Sequence, residues 1–132
     1  MNKTTALQVS PYLFPLLTIH NPRDFSDPED IIAFVCDIYE VSRKDLHTEK
    51  GMRGVQHLMT IRQITFYMLC RFTSLTLINI GNFFEKDHAT VLHAVKCVRN
   101  MKETKDKKYY TSITMIELVL NNKCKVYDRT RN

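Results

Sequence analysis

The sequence contains few of the residues that break helices. Only three glycines occur in 132 residues, and all four prolines lie at or before position 28. A β fold with many tight turns requires glycine and proline at those turns. Their scarcity after residue 28 therefore predicts an all-α fold.

Signals for export and for membrane insertion are also missing. The four cysteines include no Cys-x-x-Cys pair, and the first residues lack the layout of a signal peptide. The most apolar early stretch, residues 13–19, is interrupted by Pro15 and is too short to span a bilayer. We therefore expect a cytoplasmic protein with reduced, buried cysteines and no membrane partner.

No pattern of catalytic or metal-binding residues stands out. The sequence has neither a phosphate-binding Gly-x-x-x-x-Gly-Lys-Ser/Thr loop nor a His-Glu-x-x-His motif. His88 and His93 are five residues apart, a poor spacing for two metal ligands on one helical face. We expect no enzymatic activity, catalytic residue, metal or cofactor. An unrecognised enzyme remains an alternative, because triads can assemble from distant positions.

The charge of the chain is unevenly distributed. The net charge is +5, but residues 1–40 carry a net charge of −4 and residues 41–132 a net charge of +9. A basic body of this kind is typical of proteins that face a polyanion such as nucleic acid. The alternative is that the lysines only keep the helices in solution.

The spacing of prolines and apolar residues divides the chain into an arm and a body. Residues 1–27 contain Pro11, Pro15 and Pro22 and are predicted to form an extended N-terminal arm. Residues 28–132 are predicted to form one small helical bundle. Its helices are expected to begin at residue 28, to cover about 57–73 and 77–84, to begin again at 88, and to cover about 109–121. A short helical turn is expected at 42–46.

Two of these helices have the layout of a helix-turn-helix. Thr76 is a suitable cap for a short apolar helix, a tight turn follows at 84–86, and Asp87 is suited to cap the next helix. That helix opens with small and polar residues, as a recognition helix must in order to approach base edges. The sequence thus predicts a DNA-binding module.

These stretches resemble the C-terminal DNA-binding domain of the bacterial chromosomal replication initiator DnaA. The resemblance covers about residues 29–102 and rests on Arg62-Gln63, on Leu77-x-x-Ile80-Gly81-x-x-Phe84 and on residues 87–94. The last block reads Asp-His-Ala-Thr-Val-Leu-His-Ala, close to the family's Asp-His-Thr-Thr-Val-hydrophobic-His-Ala. The resemblance implies a Trp-repressor-like helix-turn-helix and a role in replication or transcription control of a bacterial or mobile-element genome. Because 132 residues leave no room for the family's ATPase module, we expect a standalone domain.

The resemblance also implies which residues contact double-stranded DNA. Major-groove bases would be read by Asp87, His88, Ala89 and Thr90. Phosphates or the minor groove would be contacted by Lys50, Arg53, Arg62, Gln63, Thr76, Leu77 and Lys86. This agrees with elementary chemistry, because helix N-termini offer free amides to phosphate oxygens and short side chains can contact a thymine methyl group.

Three positions differ from the family's pattern. Ala89 replaces the first threonine, and the turn Phe84-Glu85-Lys86-Asp87 is one residue shorter than the usual Phe-Gly-Gly-Arg-Asp. Residues 54–57 read Gly-Val-Gln-His where basic residues are usual. We therefore expect altered or weak sequence preference. The alternative is an adaptor that kept the fold, lost groove binding, and engages a protein partner or a second copy through Tyr12, Phe14 and Phe83.

Overall fold

A computed structural model of the chain describes residues 23–47 and 54–127. Within these ranges all regular structure is helical, which confirms the predicted all-α class. The elements are α1 (Pro28–Tyr39), a 3₁₀ helix (Lys44–His47), α2 (Val55–Phe72), α3 (Leu77–Asn82), α4 (His88–Glu103) and α5 (Tyr110–Lys123). Most of the predicted arm, with Tyr12 and Phe14, lies outside the described residues. So do Lys50 and Arg53.

Short-range capping explains where three of the helices begin. Asp27, Thr76 and Asp87 cap α1, α3 and α4, and each side chain accepts a hydrogen bond from a backbone amide two or three residues further along. Such a bond satisfies one of the amides that a helix start leaves without a partner. The caps predicted at Thr76 and Asp87 are confirmed, and Asp27 caps the helix that was predicted to begin at residue 28. α2 begins two residues earlier than expected, directly after Gly54, whose φ is +72°.

Helix α2 is the centre of the bundle. It packs against α1, the 3₁₀ helix, α3, α4 and α5. Its buried side chains therefore occupy most of its circumference rather than one stripe, and they include Ile61, Ile64, Phe66, Tyr67, Met68, Leu69, Cys70 and Phe72. A helix surrounded in this way positions the elements around it, including the helix-turn-helix.

A buried carboxylate joins α5 to α2 and α4. Glu117 of α5 is 6% exposed, accepts a hydrogen bond from the Tyr67 hydroxyl at 2.9 Å and forms an ion pair with Lys102 at 2.8 Å. The Arg71 Nε lies 3.6 Å from the same carboxylate, which is beyond hydrogen-bond distance but close enough for attraction. Since a buried charge is costly without partners, this network requires α5 to remain docked.

The cysteines are all free thiols. Cys36 and Cys70 are buried as predicted, and burial raises the pKa of Cys36 to about 11. Cys97 and Cys124 are only half-buried, so the expectation of four buried thiols is wrong for these two.

Two negative findings concern the part of the chain that the structure describes. None of its helices combines the length and apolar character that crossing a membrane requires. In the same residues, no three His, Cys, Asp or Glu side chains are grouped so that they could hold a metal ion.

Candidate nucleic-acid interface

The turn between α3 and α4 is held by backbone hydrogen bonds. The amides of Phe84 and Lys86 both donate to the carbonyl oxygen of Gly81, at 3.0 Å and 2.9 Å. Between them, Glu85 adopts a left-handed conformation with φ of +58°. The turn is therefore tight, and a residue other than glycine occupies its left-handed position.

An arginine outside the helix-turn-helix braces this turn. The Arg43 guanidinium lies over the rings of Phe83 and Phe84, with its central carbon 5.7 Å and 5.4 Å from their centroids. It also donates to the Phe83 carbonyl oxygen at 3.3 Å and forms an ion pair with Glu29 at the start of α1. The sequence pattern did not indicate this role, because Arg43 is 40 residues from Phe83.

The start of α4 is fixed by Asp87. One oxygen of this carboxylate accepts hydrogen bonds from both the backbone amide and the hydroxyl of Thr90, at 2.9 Å and 2.8 Å. These bonds hold the pKa of Asp87 below its usual range. Because the Thr90 hydroxyl proton is directed to Asp87, its oxygen remains an acceptor towards any DNA group. The second carboxylate oxygen of Asp87 can accept from a cytosine amino group.

One face of α4 points to solvent. Val91, Ala94, Val95 and Val98 are buried against the core. The opposite face exposes His88, Ala89, Leu92, His93 and Lys96. Three of the four residues predicted to read bases, Asp87, His88 and Ala89, are therefore exposed at the start of the helix, and Thr90 is half-buried. One turn later, Leu92 exposes 44% of its apolar side chain.

The other residues predicted to contact phosphates near this helix flank it in the structure. Thr76 is exposed at the cap of α3, and Leu77 is half-buried at its first position. Lys86 is half-buried in the turn immediately before Asp87. Since α3 packs against α4, these residues and the start of α4 belong to one unit.

Arg62, which the resemblance assigns to a DNA phosphate, lies in the interior of the bundle. Its side chain is 6% exposed, and its Nη1 donates to the carbonyl oxygen of Leu46 in the 3₁₀ helix at 3.1 Å. A buried carbonyl needs a hydrogen-bond donor, and Arg62 supplies one across the core. Its contact with phosphate, like that of its half-buried neighbour Gln63, stays a prediction.

A cleft of about 420 Å³ separates the beginning of α2 from the end of α4. Gln56, His57 and Gln63 line one side, and Asn100, Lys108 and Tyr109 are among the residues on the other. The Nδ1 of His57 and the Tyr109 hydroxyl are hydrogen-bonded at 2.6 Å, and the two rings are stacked with centroids 5.8 Å apart. Burial, and secondarily the nearby Lys108, lower the pKa of His57. The sequence did not reveal this cleft.

The apolar patch expected of an adaptor is only partly described. Phe83 is half-buried rather than exposed and is partly covered by Arg43. The most exposed large apolar side chains among the described residues are instead Ile78 on α3 and Leu118 on α5, at 61% and 63%.

Comparison with known proteins identifies relatives of the helical body. The family described as "Bacterial dnaA protein helix-turn-helix" matches residues 28–98. The chain is similar to the chromosomal replication initiator protein DnaA of Bacteroides thetaiotaomicron, with 34% identity over 106 residues, which are 80% of this chain and 22% of that protein. Its identity to the DnaA protein of Cutibacterium acnes is 42% over 73 residues, covering 54% of this chain and 14% of that protein.

The chain therefore spans about a fifth of the length of the curated relatives it matches. No solved structure gives a significant match.

Proposed function

Because the chain belongs to the bacterial DnaA helix-turn-helix family, we propose that it binds double-stranded DNA with a preference for particular base sequences. We further propose that it is not an enzyme and that it acts in replication or transcription control of a bacterial or mobile-element genome. The observation that carries the proposal is the start of α4. There, exposed His88 and Ala89 follow a cap made rigid by two hydrogen bonds between Thr90 and Asp87.

This start is suited to reading the major groove. His88 supplies a ring nitrogen for a base edge, and the methyl group of Ala89 can contact a thymine methyl group. The Asp87 carboxylate and the Thr90 hydroxyl oxygen are acceptors whose orientation is set before DNA arrives. Preorganised groups lose less conformational entropy on binding, so this arrangement favours base preference.

Residues around the helix supply contacts to the DNA backbone in this proposal. Lys86 and Thr76 flank the start of α4, and Gln63 lies at the cleft on α2. Each cation that neutralises a phosphate releases counterions, so the logarithm of the binding constant falls by roughly 0.9 per contact for each log unit of salt. Binding should therefore weaken as salt is raised.

The decisive experiment is a fluorescence anisotropy titration of two labelled duplexes at two salt concentrations. One duplex carries an initiator-type box and the other a scrambled version of it. We expect salt-sensitive binding of both duplexes, with a modest preference for the box. Equal, salt-sensitive binding would mean that the chain binds DNA at a sequence still to be identified. His88→Ala and Thr90→Ala should each reduce the free-energy difference between the duplexes by about 1–3 kcal/mol.

A matched control is Thr114→Ala, an exposed threonine on α5, which should leave both affinities unchanged. Circular dichroism melting of each variant checks that the fold is retained. An unchanged difference between the duplexes in both the His88 and the Thr90 variants would show that α4 does not read bases.

A protein-interaction adaptor is the second candidate. It is favoured by Glu85, an exposed acid in the turn before the recognition helix, and by Ile78, which is 61% exposed on α3. Absence of binding to either duplex at low salt, with the fold intact, would favour the adaptor over the DNA reader.

A further inference from the structure

We propose that the segment joining α4 to α5 (residues 104–109, the connector) extends the DNA interface by placing Lys108 against the phosphate backbone. The inference rests on the proposed function, because it requires duplex DNA to lie along α4 and the beginning of α2. The family match ends at residue 98, so the connector lies beyond the residues that the family model covers.

The connector lies beside residues already assigned to the backbone. Lys108 lines the same cleft as Gln63, which the resemblance assigns to a phosphate, and as Gln56 at the beginning of α2. The positive charge of Lys108 also contributes to the lowered pKa of His57, which is consistent with its position at the beginning of α2. DNA that reaches Gln63 therefore passes close to Lys108.

The connector is held in one conformation. A single oxygen of Asp106 accepts the amides of Lys108 and Tyr109 at 2.9 Å and 3.0 Å, and the Asp106 amide donates to Met101 at 2.9 Å. Tyr109 is 7% exposed and is hydrogen-bonded to His57. The backbone on either side of Lys108 is thus anchored, and only its side chain must be ordered on binding.

The charge of the connector suits a polyanion. Lys105, Lys107 and Lys108 are exposed, and none of them forms an ion pair with another described residue. The one acid of the connector, Asp106, accepts two backbone amides with one of its oxygens, and the three lysines outnumber it. Residues 54–57, at the beginning of α2 beside the cleft, carry no lysine or arginine, so the connector supplies positive charge next to a segment where basic residues are usual in the family.

Duplex DNA is the occupant that best fits this surface. The positive charge is complementary to phosphate, and the surface continues from Gln63, which belongs to the proposed interface. A phosphate contact carries no sequence information by itself, so the effect of Lys108 should be the same for every duplex.

The test compares Lys108→Gln with Lys125→Gln in the full chain. Lys125 lies near the far end of α2, because the Tyr127 amide donates to the Arg71 carbonyl oxygen at 2.6 Å. At 1.5 Å per residue, that end of the helix is roughly 20 Å from Gln56. The two variants therefore remove the same charge from opposite ends of α2.

Salt titrations should separate the two variants. For Lys108→Gln, we expect the slope of log K against log salt to become shallower by about 0.9, for the initiator-type and the scrambled duplex alike. Lys125→Gln should keep the wild-type slope. Circular dichroism melting confirms that both variants are folded.

Two results would overturn the inference, and they are distinguishable. If the wild-type chain binds DNA and Lys108→Gln keeps its slope, the connector does not contact phosphate, although the proposed function stands. If the wild-type chain shows no salt-dependent binding to duplex DNA, the proposed function and this inference fail together.

Discussion

Gly81 and Lys86 are in close backbone contact across the turn of the helix-turn-helix. The Lys86 amide donates to the Gly81 carbonyl oxygen at 2.9 Å, and a Cβ placed on Gly81 would overlap the Lys86 carbonyl oxygen. The same Cβ would lie 3.3 Å from the carbonyl oxygen of Asp87. A backbone oxygen cannot rotate away as a flexible side chain can. The approach of α3 to the start of α4 therefore requires glycine at position 81.

Gly81→Ala should destabilise the domain and disturb the recognition helix. Overpacking of this kind costs about 1–3 kcal/mol, and relief requires movement of the segment that carries Asp87. We expect urea denaturation to show this loss of stability, and anisotropy titration to show a reduced preference for the initiator-type duplex. Asn82→Ala is the control, because Asn82 is exposed on the same helix. Equal stability of the two variants would contradict the prediction.

Glu85→Gly should stabilise the domain and tighten DNA binding. Glu85 has a φ of +58°, which glycine adopts without the strain of a Cβ. After allowance for the greater freedom of glycine in the unfolded chain, the net gain is about 0.5–1 kcal/mol. Removing the Glu85 carboxylate should also raise the affinity for both duplexes, because this negative charge lies close to the expected DNA phosphates and repels them.

Glu85→Gln separates these two effects, since it removes the charge and keeps the Cβ. We expect thermal or urea denaturation to show the gain for Glu85→Gly only, whereas anisotropy shows tighter binding for both variants. A gain in stability that is equal for glycine and glutamine would show that charge, and not backbone strain, is responsible.

Arg62 and Gln63 should differ in what their loss affects. Arg62→Ala leaves the Leu46 carbonyl oxygen without its donor and removes a buried side chain, so the free energy of unfolding should fall by about 2–3 kcal/mol. Gln63→Ala should change stability much less and still weaken binding to both duplexes. Urea denaturation and anisotropy on the same samples measure both quantities. A fully stable Arg62→Ala variant would refute a structural role for Arg62.

Stability should fall in mildly acidic solution because of His57. Its pKa in the folded chain lies below the ordinary value of 6.5, chiefly because of burial. As the pH falls through 6.5 towards the folded pKa, the unfolded chain binds a proton that the folded chain does not. The contribution of His57 to stability is therefore complete above pH 6.5 and is lost as the pH falls through that window.

His57→Gln removes this titration and retains a polar side chain. We expect the free energy of unfolding between pH 7 and pH 5 to decrease less in this variant than in the wild type. Thr114→Ala, an exposed substitution that removes no titratable group, should follow the wild-type curve. Identical pH dependence of the wild type and the His57 variant would contradict the assignment.

The sequence alone determined where the helices begin and which residues form the exposed start of the candidate recognition helix α4. Asp27, Thr76 and Asp87 each cap a helix through an amide two or three residues away, an interaction that a short stretch of sequence contains in full. The apolar spacing of α4 likewise separates its core face from exposed His88 and Ala89. Both features depend on neighbours along the chain, so local patterns were sufficient to predict them.

Only the tertiary structure decided which polar side chains are enclosed. Arg62 is bonded to Leu46 across 16 residues, Tyr67 to Glu117 across 50, and His57 to Tyr109 across 52. Periodicity predicts a solvent-facing side for a polar residue on a helix, but α2 is covered on most of its sides by other elements. The partner of a buried polar group is set by how the helices pack, and packing brings together residues whose spacing in the sequence carries no signal.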